Sequence, residues 1–306
     1  MTAKVAAIVG PTAVGKSAVA VEVAERLEAE IVSVDSMQIY RGMDAGTAKP
    51  TGAMRARVLH HLLDISDPCE PVTVKRFQTL ARTTIAGIHA RARLPLLVGG
   101  SGLYWRGVVD ELDFPPRSPE VRDALEKEAE ERGAAALFAR LQAWDPAAAQ
   151  RVEPANLRRI IRALEVIAVT GRKFSDQDAW GRYESRYRLV VAGLALSRSD
   201  LFARIERRAQ AMLEQGLIGE VRRLEVSGLG ATARQALGYR QVLEADPNAS
   251  AQEIGAAIVA ATKRFARRQE SWFRSDPRVT WFDAADAHLV DELVAHFTRH
   301  LKRPSP

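Results

Sequence analysis

The sequence contains a single cysteine, Cys69, in 306 residues. No disulfide can close within the chain, which fits a reducing compartment and sets a cytoplasmic location as the expectation. Cys69 itself, in "DPCEP", reads as incidental rather than catalytic. Aromatic residues are also scarce, at 6%. The five tryptophans, at 105, 144, 180, 272 and 281, are scattered, so no stacking platform is evident; Trp272, on a basic helix, is the one worth testing. No apolar run approaches the 18 or more residues of a membrane helix, and the apolar start "MTAKVAAIVGP" is too short for a signal peptide. No membrane partner is expected. Internal repeats and low-complexity tracts are missing, and only the closing "KRPSP" has the composition of a frayed end. The six histidines show no metal-ligand spacing. The adjacent His60 and His61 point apart on either a helix or a strand, and they read as structural.

What remains is a chain that is 47% hydrophobic and 27% charged, long enough to bury a sizeable core in one large domain or two unequal ones. Its net charge of +6 and isoelectric point near 9.7 favour a polyanionic partner. The basic residues are concentrated in "NLRRIIRALE", "ARIERRAQ" and "TKRFARRQESWFR". One such cluster is an ordinary solvated helix face; three, nearly all arginine, favour recognition of phosphates and bases.

The strongest local signal lies in "AIVGPTAVGKSAVA". Gly10, Gly15, Lys16 and Ser17 meet the pattern G-x-x-x-x-G-K-[ST], after a predicted strand over Val5 to Val9 and before a helix over residues 16 to 28. Such a loop, with Pro11, Thr12, Ala13 and Val14 between the glycines, turns backbone N–H groups and a helix N-terminus toward an anion. Lys16 adds a point charge, and the Ser17 hydroxyl is a candidate ligand for Mg²⁺. The motif specifies phosphate and leaves the substrate open.

The first hundred residues alternate strand and helix: "VAAIVG", "EIVSVDS" and "PLLVGGSG" read as strands, with helices over 16 to 28 and 75 to 92. This is the pattern of an α/β fold with a parallel sheet, whose ligands collect at the C-terminal strand ends. The loops Gly10 to Ser17, Asp35 to Tyr40 and Gly99 to Tyr104 fall at that edge. Pro115, Pro116 and Pro119 then break the chain, residues 119 to 170 read as helices, and "RLVVAGLAL" resumes the sheet, with "VTWFDA" as its last strand. The expected organisation is a discontinuous core, 1–112 and 188–303, interrupted by a helical insertion at 113–187.

Asp35 reaches the sheet edge beside a loop built for anions, where it can hold Mg²⁺, act as a general base, or simply cap the next turn. "LLVGGSG" brings Gly99, Gly100 and the Ser101 hydroxyl to the same edge. Glycines there, in place of an acidic strand end, argue against a mechanical ATPase.

The blocks "GPTAVGKS", "SVDSMQIYRGMDAGTAKP", "HHLLDISDP", "LLVGGSGLY", "RRIIRALEV", "GLIGEV", "ALGYRQ" and "TKRFARRQESWFR" resemble, in order and spacing, the tRNA dimethylallyltransferases. The resemblance covers residues 4 to 285 and implies a P-loop NTPase-like core with a helical insertion contacting tRNA. It implies a cradle that holds the diphosphate of dimethylallyl diphosphate, with no phosphoryl transfer. The implied acceptor is the exocyclic N6 of the adenosine 3′ of the anticodon (adenosine-37), extruded into a channel through the protein. Ser17 and Ser101 stand where many members have threonine, and each keeps the hydroxyl.

Because the N6 lone pair is delocalised into the ring, a base must remove a proton as the C–N bond forms, and Asp35 is the candidate. Lys16, Ser17 with Mg²⁺, Thr12 and Ser101 are candidates to stabilise charge growing on diphosphate. Arg204 and Arg208 lie four apart on one helix face, and the resemblance implies that one of them clamps the diphosphate. It also implies tRNA contacts from Asp35, Ser36, Met37, Gln38 and Ser101; Met37, Gln38 and Tyr40, just after the candidate base, are candidates to read the adenine. Further tRNA candidates are Arg122, Arg158, Arg159, Ile160, Ile161, Arg162, Gln235, Gly238, Tyr239 and Arg240, and Lys263, Arg264, Arg267 and Arg268. The expected partners are a tRNA anticodon stem-loop and dimethylallyl diphosphate, with the chain acting as a monomer. The competing readings are an adenylate isopentenyltransferase using free nucleotide, a small-molecule kinase using ATP, and an RNA-binding nucleotide switch. The first has no need of the insertion or the arginine-rich second half; Asp35 beside "LLVGG" discriminates against the last.

Overall fold

In the computed structural model residues 3–176 and 182–302 are described; Trp180 and the closing 303–306 lie outside them. The chain divides into two compact units, 1–110 with 185–306, and 111–184. The division falls two or three residues from the proline-marked insertion limits expected above.

In the larger unit, six strands form one sheet: β1 (Lys4–Val9), β2 (Ala29–Ser33), β3 (His60–His61), β4 (Leu94–Gly99), β5 (Arg188–Ala195) and β6 (Val279–Asp283). Their order is β3-β2-β4-β1-β5-β6, and every pairing is parallel. The helices are α1 (Lys16–Arg26), α2 (Gly52–Arg57), α3 (Val74–Ala90), α4 (Gly102–Val109), then, in the smaller unit, α5 (Pro119–Trp144), α6 (Pro146–Arg151) and α7 (Leu157–Thr170). The larger unit resumes with α8 (Arg198–Glu214), α9 (Leu217–Val226), α10 (Tyr239–Glu244), α11 (Ala251–Arg274) and α12 (Leu289–Lys302). The first two expected helices thus end two residues early, α1 at Arg26 because Glu28 turns to φ 51°. The short α2 and β3 carry too few residues to show a period.

Strands buried on both faces read as continuous apolar runs, as "KVAAIV" does. Ala6 and Ile8 face one core with α1 and α12, while Val5, Ala7 and Val9 face another with α3 and α4. His61 is structural, as expected: its ring bonds Glu30 at 2.7 Å. His60 bonds the Val58 carbonyl at 2.8 Å. Among the described residues no helix is long and apolar enough to cross a membrane.

The smaller unit has its own core, built from Leu125, Leu137, Leu141, Ile160 and Leu164 among others. Ser118 caps α5, its hydroxyl accepting from the Val121 N–H (3.3 Å), with Pro119 in the first turn. Gly133 breaks α5. Buried Asp145 caps α6 and accepts from the Ser175 N–H at 2.7 Å. Ile160 and Ile161 correct the sequence reading: they are 0% and 3% exposed, so neither side chain can face RNA. The 3.6-residue period turns them inward and leaves Arg158 and Arg159 outside. Ile160→Ala is expected to cost about 2–5 kcal/mol and Arg158→Ala less than about 0.5 kcal/mol, read by urea unfolding of the purified chain.

Candidate functional site

Register decides where the loops go. Val9 of β1 pairs with Gly99 of β4, and Ser33 of β2 pairs with Val98, so three strands end level. The helix that leaves β1 packs on one face of the sheet and the helix that leaves β4 on the other, opening a crevice between adjacent strands. The three loops expected at the edge line or border one cavity of about 380 Å³.

Gly10 opens the first loop at φ 142°, and a Cβ there would lie 2.6 Å from the Leu194 carbonyl oxygen. Only glycine lets the loop close onto β5 at this point. Ala13 takes φ 66°, a left-handed conformation unfavourable for a residue with a Cβ. Gly15 gives α1 no side-chain cap, and the first turn carries no acidic residue. The N–H groups and positive end of α1 thus remain available for an anion.

The cations around this loop are held in place. Lys16 Nζ donates to the carbonyls of Gly10 (2.9 Å) and Pro11 (2.7 Å). Arg208 Nη1 donates to Thr12 Oγ1 (3.0 Å), and Arg204 Nη1 donates to the Val14 carbonyl (2.9 Å). Both α8 arginines therefore reach the cradle, and both line the cavity with Lys16 and Ser17. Desolvation pushes the Lys16 ammonium down to about 7, with the Asp35 charge opposing the shift and Arg208 adding to it. Desolvation likewise lowers the Arg208 guanidinium, with Asp35 again opposing.

Asp35 plays two parts at once. Its Oδ1 accepts from the N–H groups of Met37 (2.8 Å) and Gln38 (3.3 Å), capping the turn, and the side chain lines the cavity. Ser101 Oγ lies 3.4 Å from both the N–H and the hydroxyl of Ser36. Asp35, Ser36 and Ser101 are thus brought together.

Tyr40, Gly238 and Tyr239 correct the expected contacts, because all three are buried. Tyr40 is 0% exposed, its hydroxyl accepting from the Val72 N–H, so it belongs to the core. Gln38 spends its amide on structure: Oε1 accepts from Ser33 Oγ (2.9 Å), and Nε2 donates to the carbonyls of Thr47 and Ala48 (3.2 Å each). It shapes the cavity wall and lines the cavity, where Oε1 keeps a second acceptor site. Gly238 and Tyr239 are buried, and the Tyr239 hydroxyl donates to Glu220. Burial and the Glu220 charge hold that hydroxyl far above the usual phenol range. By contrast Gln235 and Arg240 are exposed, although Arg240 pairs with Glu244 at 2.8 Å.

The sequence reading missed Lys49 and Gln269. Lys49 has a side chain only 4% exposed and donates to Tyr40 O (2.7 Å), Asp44 (2.6 Å) and Asp64, fixing the "GTAKP" wall of the cavity. Gln269 Oε1 accepts from the Thr12 N–H (2.8 Å) while Nε2 donates to the Gly100 carbonyl (2.8 Å). A signal for it existed: Ile258, Thr262, Ala266, Gln269 and Phe273 form the buried stripe of α11, and a polar residue on such a stripe needs a polar partner.

Basic surface flanks the site on α11, where Arg267 and Arg268 are exposed and lie over the rings of Phe202 and Phe265, at 5.5 and 5.7 Å. Lys263 is tied to Glu206 at 2.6 Å. Trp272 is half-buried, and a Cβ on Gly102 would lie 2.2 Å from its indole, so it packs as core. In the smaller unit, Arg162 donates to Glu165 (2.7 Å) and to the carbonyls of Pro115 (2.8 Å) and Pro116 (3.3 Å), and Arg122 lies 3.6 Å from Glu165. Burial, together with the charges of Arg162 and Arg122, depresses the Arg117 guanidinium, marking an excess of positive charge there.

A family model described as IPP transferase matches residues 38–276, and one described as isopentenyl transferase matches 3–58. The chain is 52% identical to a tRNA dimethylallyltransferase of Streptomyces avermitilis over 291 residues, 94% of this chain and 93% of the relative. It is similar to the structure of a full-length tRNA isopentenylpyrophosphate transferase from Bacillus halodurans (40% identity, 98% of both chains, TM-score 0.71). It is also similar to a eukaryotic dimethylallyltransferase described as acting on tRNA (25% identity, 96% of this chain and 77% of that one, TM-score 0.79).

A bound diphosphate favours the charged Lys16, raising its pKa from about 7 toward the ordinary 10.5. The complex then holds more protons than the free protein between those values, so affinity falls as pH rises above 7, by at most about tenfold per unit. Calorimetry with a diphosphate monoester at pH 8, in two buffers of different ionisation heat, should record proton uptake; none would contradict the assignment.

Proposed function

The chain belongs to the IPP transferase family, and we propose that it is a tRNA dimethylallyltransferase that moves the five-carbon group of dimethylallyl diphosphate onto N6 of the adenosine 3′ of the anticodon, releasing diphosphate. The observation that carries this reading is the cavity itself. Its one end gathers Lys16, Ser17, Arg204 and Arg208 about the free N-terminus of α1, and its walls include Ile31, Met54 and Val98. Such a cavity suits a diphosphate attached to a short apolar chain, which needs cations at one end and a dry wall at the other.

The chemistry follows from where the charges sit. As the allylic C–O bond breaks, negative charge grows on the diphosphate, and Lys16 and Arg208 are already desolvated and fixed in place to receive it. Dimethylallyl carbon C1 bonds to the adenine nitrogen as the bond to oxygen breaks, and the nitrogen then carries one proton too many. Asp35, at the cavity edge beside these cations, is the group to accept it. Its Oδ1 is committed to the turn, so the second carboxylate oxygen is the base. Ser101, adjoining Ser36, supplies a hydroxyl at the reacting end.

Among the described residues no group of three or more His, Cys, Asp or Glu side chains could hold a metal ion. The oxygens of Ser17 and of the donor's diphosphate are hard ligands of the type Mg²⁺ takes. Bound there, Mg²⁺ would supply further positive charge to the leaving group.

The acceptor's backbone meets the basic surfaces: Arg267 and Arg268 on α11 and, in the smaller unit, Arg122, Arg158 and Arg159. The anticodon stem-loop is the part of tRNA that carries this adenosine. Extruding it costs a few kcal/mol, returned by contacts in the pocket.

Purified protein incubated with unmodified tRNA, Mg²⁺ and labelled dimethylallyl diphosphate should place label on RNA, whereas labelled ATP should not. Asp35→Asn keeps the turn-capping oxygen and removes the base, so turnover should fall about 10²–10⁴-fold with tRNA affinity unchanged; wild-type turnover would exclude Asp35. Replacing Arg267 and Arg268 together with alanine should weaken tRNA binding and shallow the log–log salt dependence by about 0.7–0.9 for each phosphate no longer neutralised, measured by filter binding from 50 to 200 mM salt.

A further inference from the structure

Gln269 and Thr262 are the buried polar side chains of α11, and Gln269 is the one that bonds two loops of the site. It is 7% exposed, and its amide is used at both ends. Oε1 takes the Thr12 N–H of the anion loop, and Nε2 gives to the Gly100 carbonyl, one residue before Ser101. The two loops also approach directly, since a Cβ on Gly100 would lie 3.0 Å from the Gly10 carbonyl oxygen and 2.4 Å from Gln269 Nε2. No side chain fits between them, and the Gln269 amide supplies the donor and the acceptor that close both ends.

We propose that Gln269 is a positioning residue for the transfer reaction: its amide holds the anion cradle and the Ser101 loop at one spacing, so that leaving-group contacts and the reacting end stay in register. This rests on the reading of the cavity as a prenyl diphosphate site. The Thr12 N–H is thereby kept from the anion, which leaves the N–H groups nearer the start of α1 to meet the phosphates, while the Thr12 hydroxyl is left to Arg208. Gln269 is one of the residues lining the cavity, but both ends of its amide are spent on Thr12 and Gly100, and it is through these two residues that it acts. Without the amide, a loop N–H and a carbonyl are both left unpaired, and each is free to turn toward water or toward the ligand.

The test compares wild type with Gln269→Met, which keeps length and packing but bonds neither loop, and Gln269→Asn, which is one methylene short and can reach only one. Calorimetry with inorganic diphosphate reads the cradle without any transfer step. Steady-state transfer to tRNA reads donor KM and kcat, and thermal melting reads the fold. Expected are a loss of about 10–100-fold in diphosphate affinity and in kcat/KM for the donor in Gln269→Met, an intermediate loss in Gln269→Asn, and unchanged tRNA affinity in both. Wild-type diphosphate affinity in a folded Gln269→Met variant would overturn the proposal, as would a wild-type kcat/KM. If wild type binds diphosphate but transfers no prenyl group, the functional reading fails, and the affinity series still decides the positioning.

Discussion

Positive charge confined in a small volume is the constraint to which the rest of the site answers. The N-terminus of α1, the Lys16 ammonium and two guanidinium groups from α8 converge on one loop, and desolvation makes that convergence costly unless anionic or polar groups face it. The protein manages this cost locally. Lys16 is turned back onto the carbonyls of Gly10 and Pro11, Arg204 onto Val14 and Arg208 onto Thr12, and the Asp35 carboxylate offsets part of the repulsion. Each of those bonds is one that a diphosphate can replace or complement. In the proposed reaction the groups that hold the cradle together are the same groups that hold the leaving group.

Asp35 sits at the intersection of the two demands. In the base role proposed for it, it must stand close to the cations, yet be free enough to take a proton from the incoming nucleobase. Capping its own turn with one oxygen and leaving the other unused by that turn satisfies both requirements with a single side chain. The surrounding wall is hydrogen-bonded for a related reason. The buried Lys49 side chain and the half-buried Gln38 spend polar groups on neighbouring backbone and acids, and these bonds tie the loop from Thr47 to Pro50 to the wall.

The fold was legible where composition and period are both strong. Apolar strands before glycines, the phosphate loop and the proline break before the smaller unit all announced themselves, since each depends on a few adjacent residues. The site was legible in its charged members. It was misread where an aromatic or aliphatic residue sits among arginines: Ile160, Ile161, Tyr239 and Tyr40 were expected near RNA, and packing claimed all four. A segment can carry one face toward a ligand and the other into a core, and membership of a basic block does not say which residue is on which face.

The sequence by itself determined that a loop of the anion-binding pattern follows β1, that a carboxylate stands one strand away, and that arginine-rich helices accompany them, because these are properties of contiguous residues and of their order. Only the tertiary structure decided that Arg204 and Arg208 both reach the cradle, that Gln38 and Lys49 build a wall, and that Gln269 ties two loops 169 and 257 residues away from it in sequence. The physical reason is that hydrogen-bond partners are chosen by register and burial. Those are settled only when strands from distant parts of the chain pair and end level at one edge of the sheet.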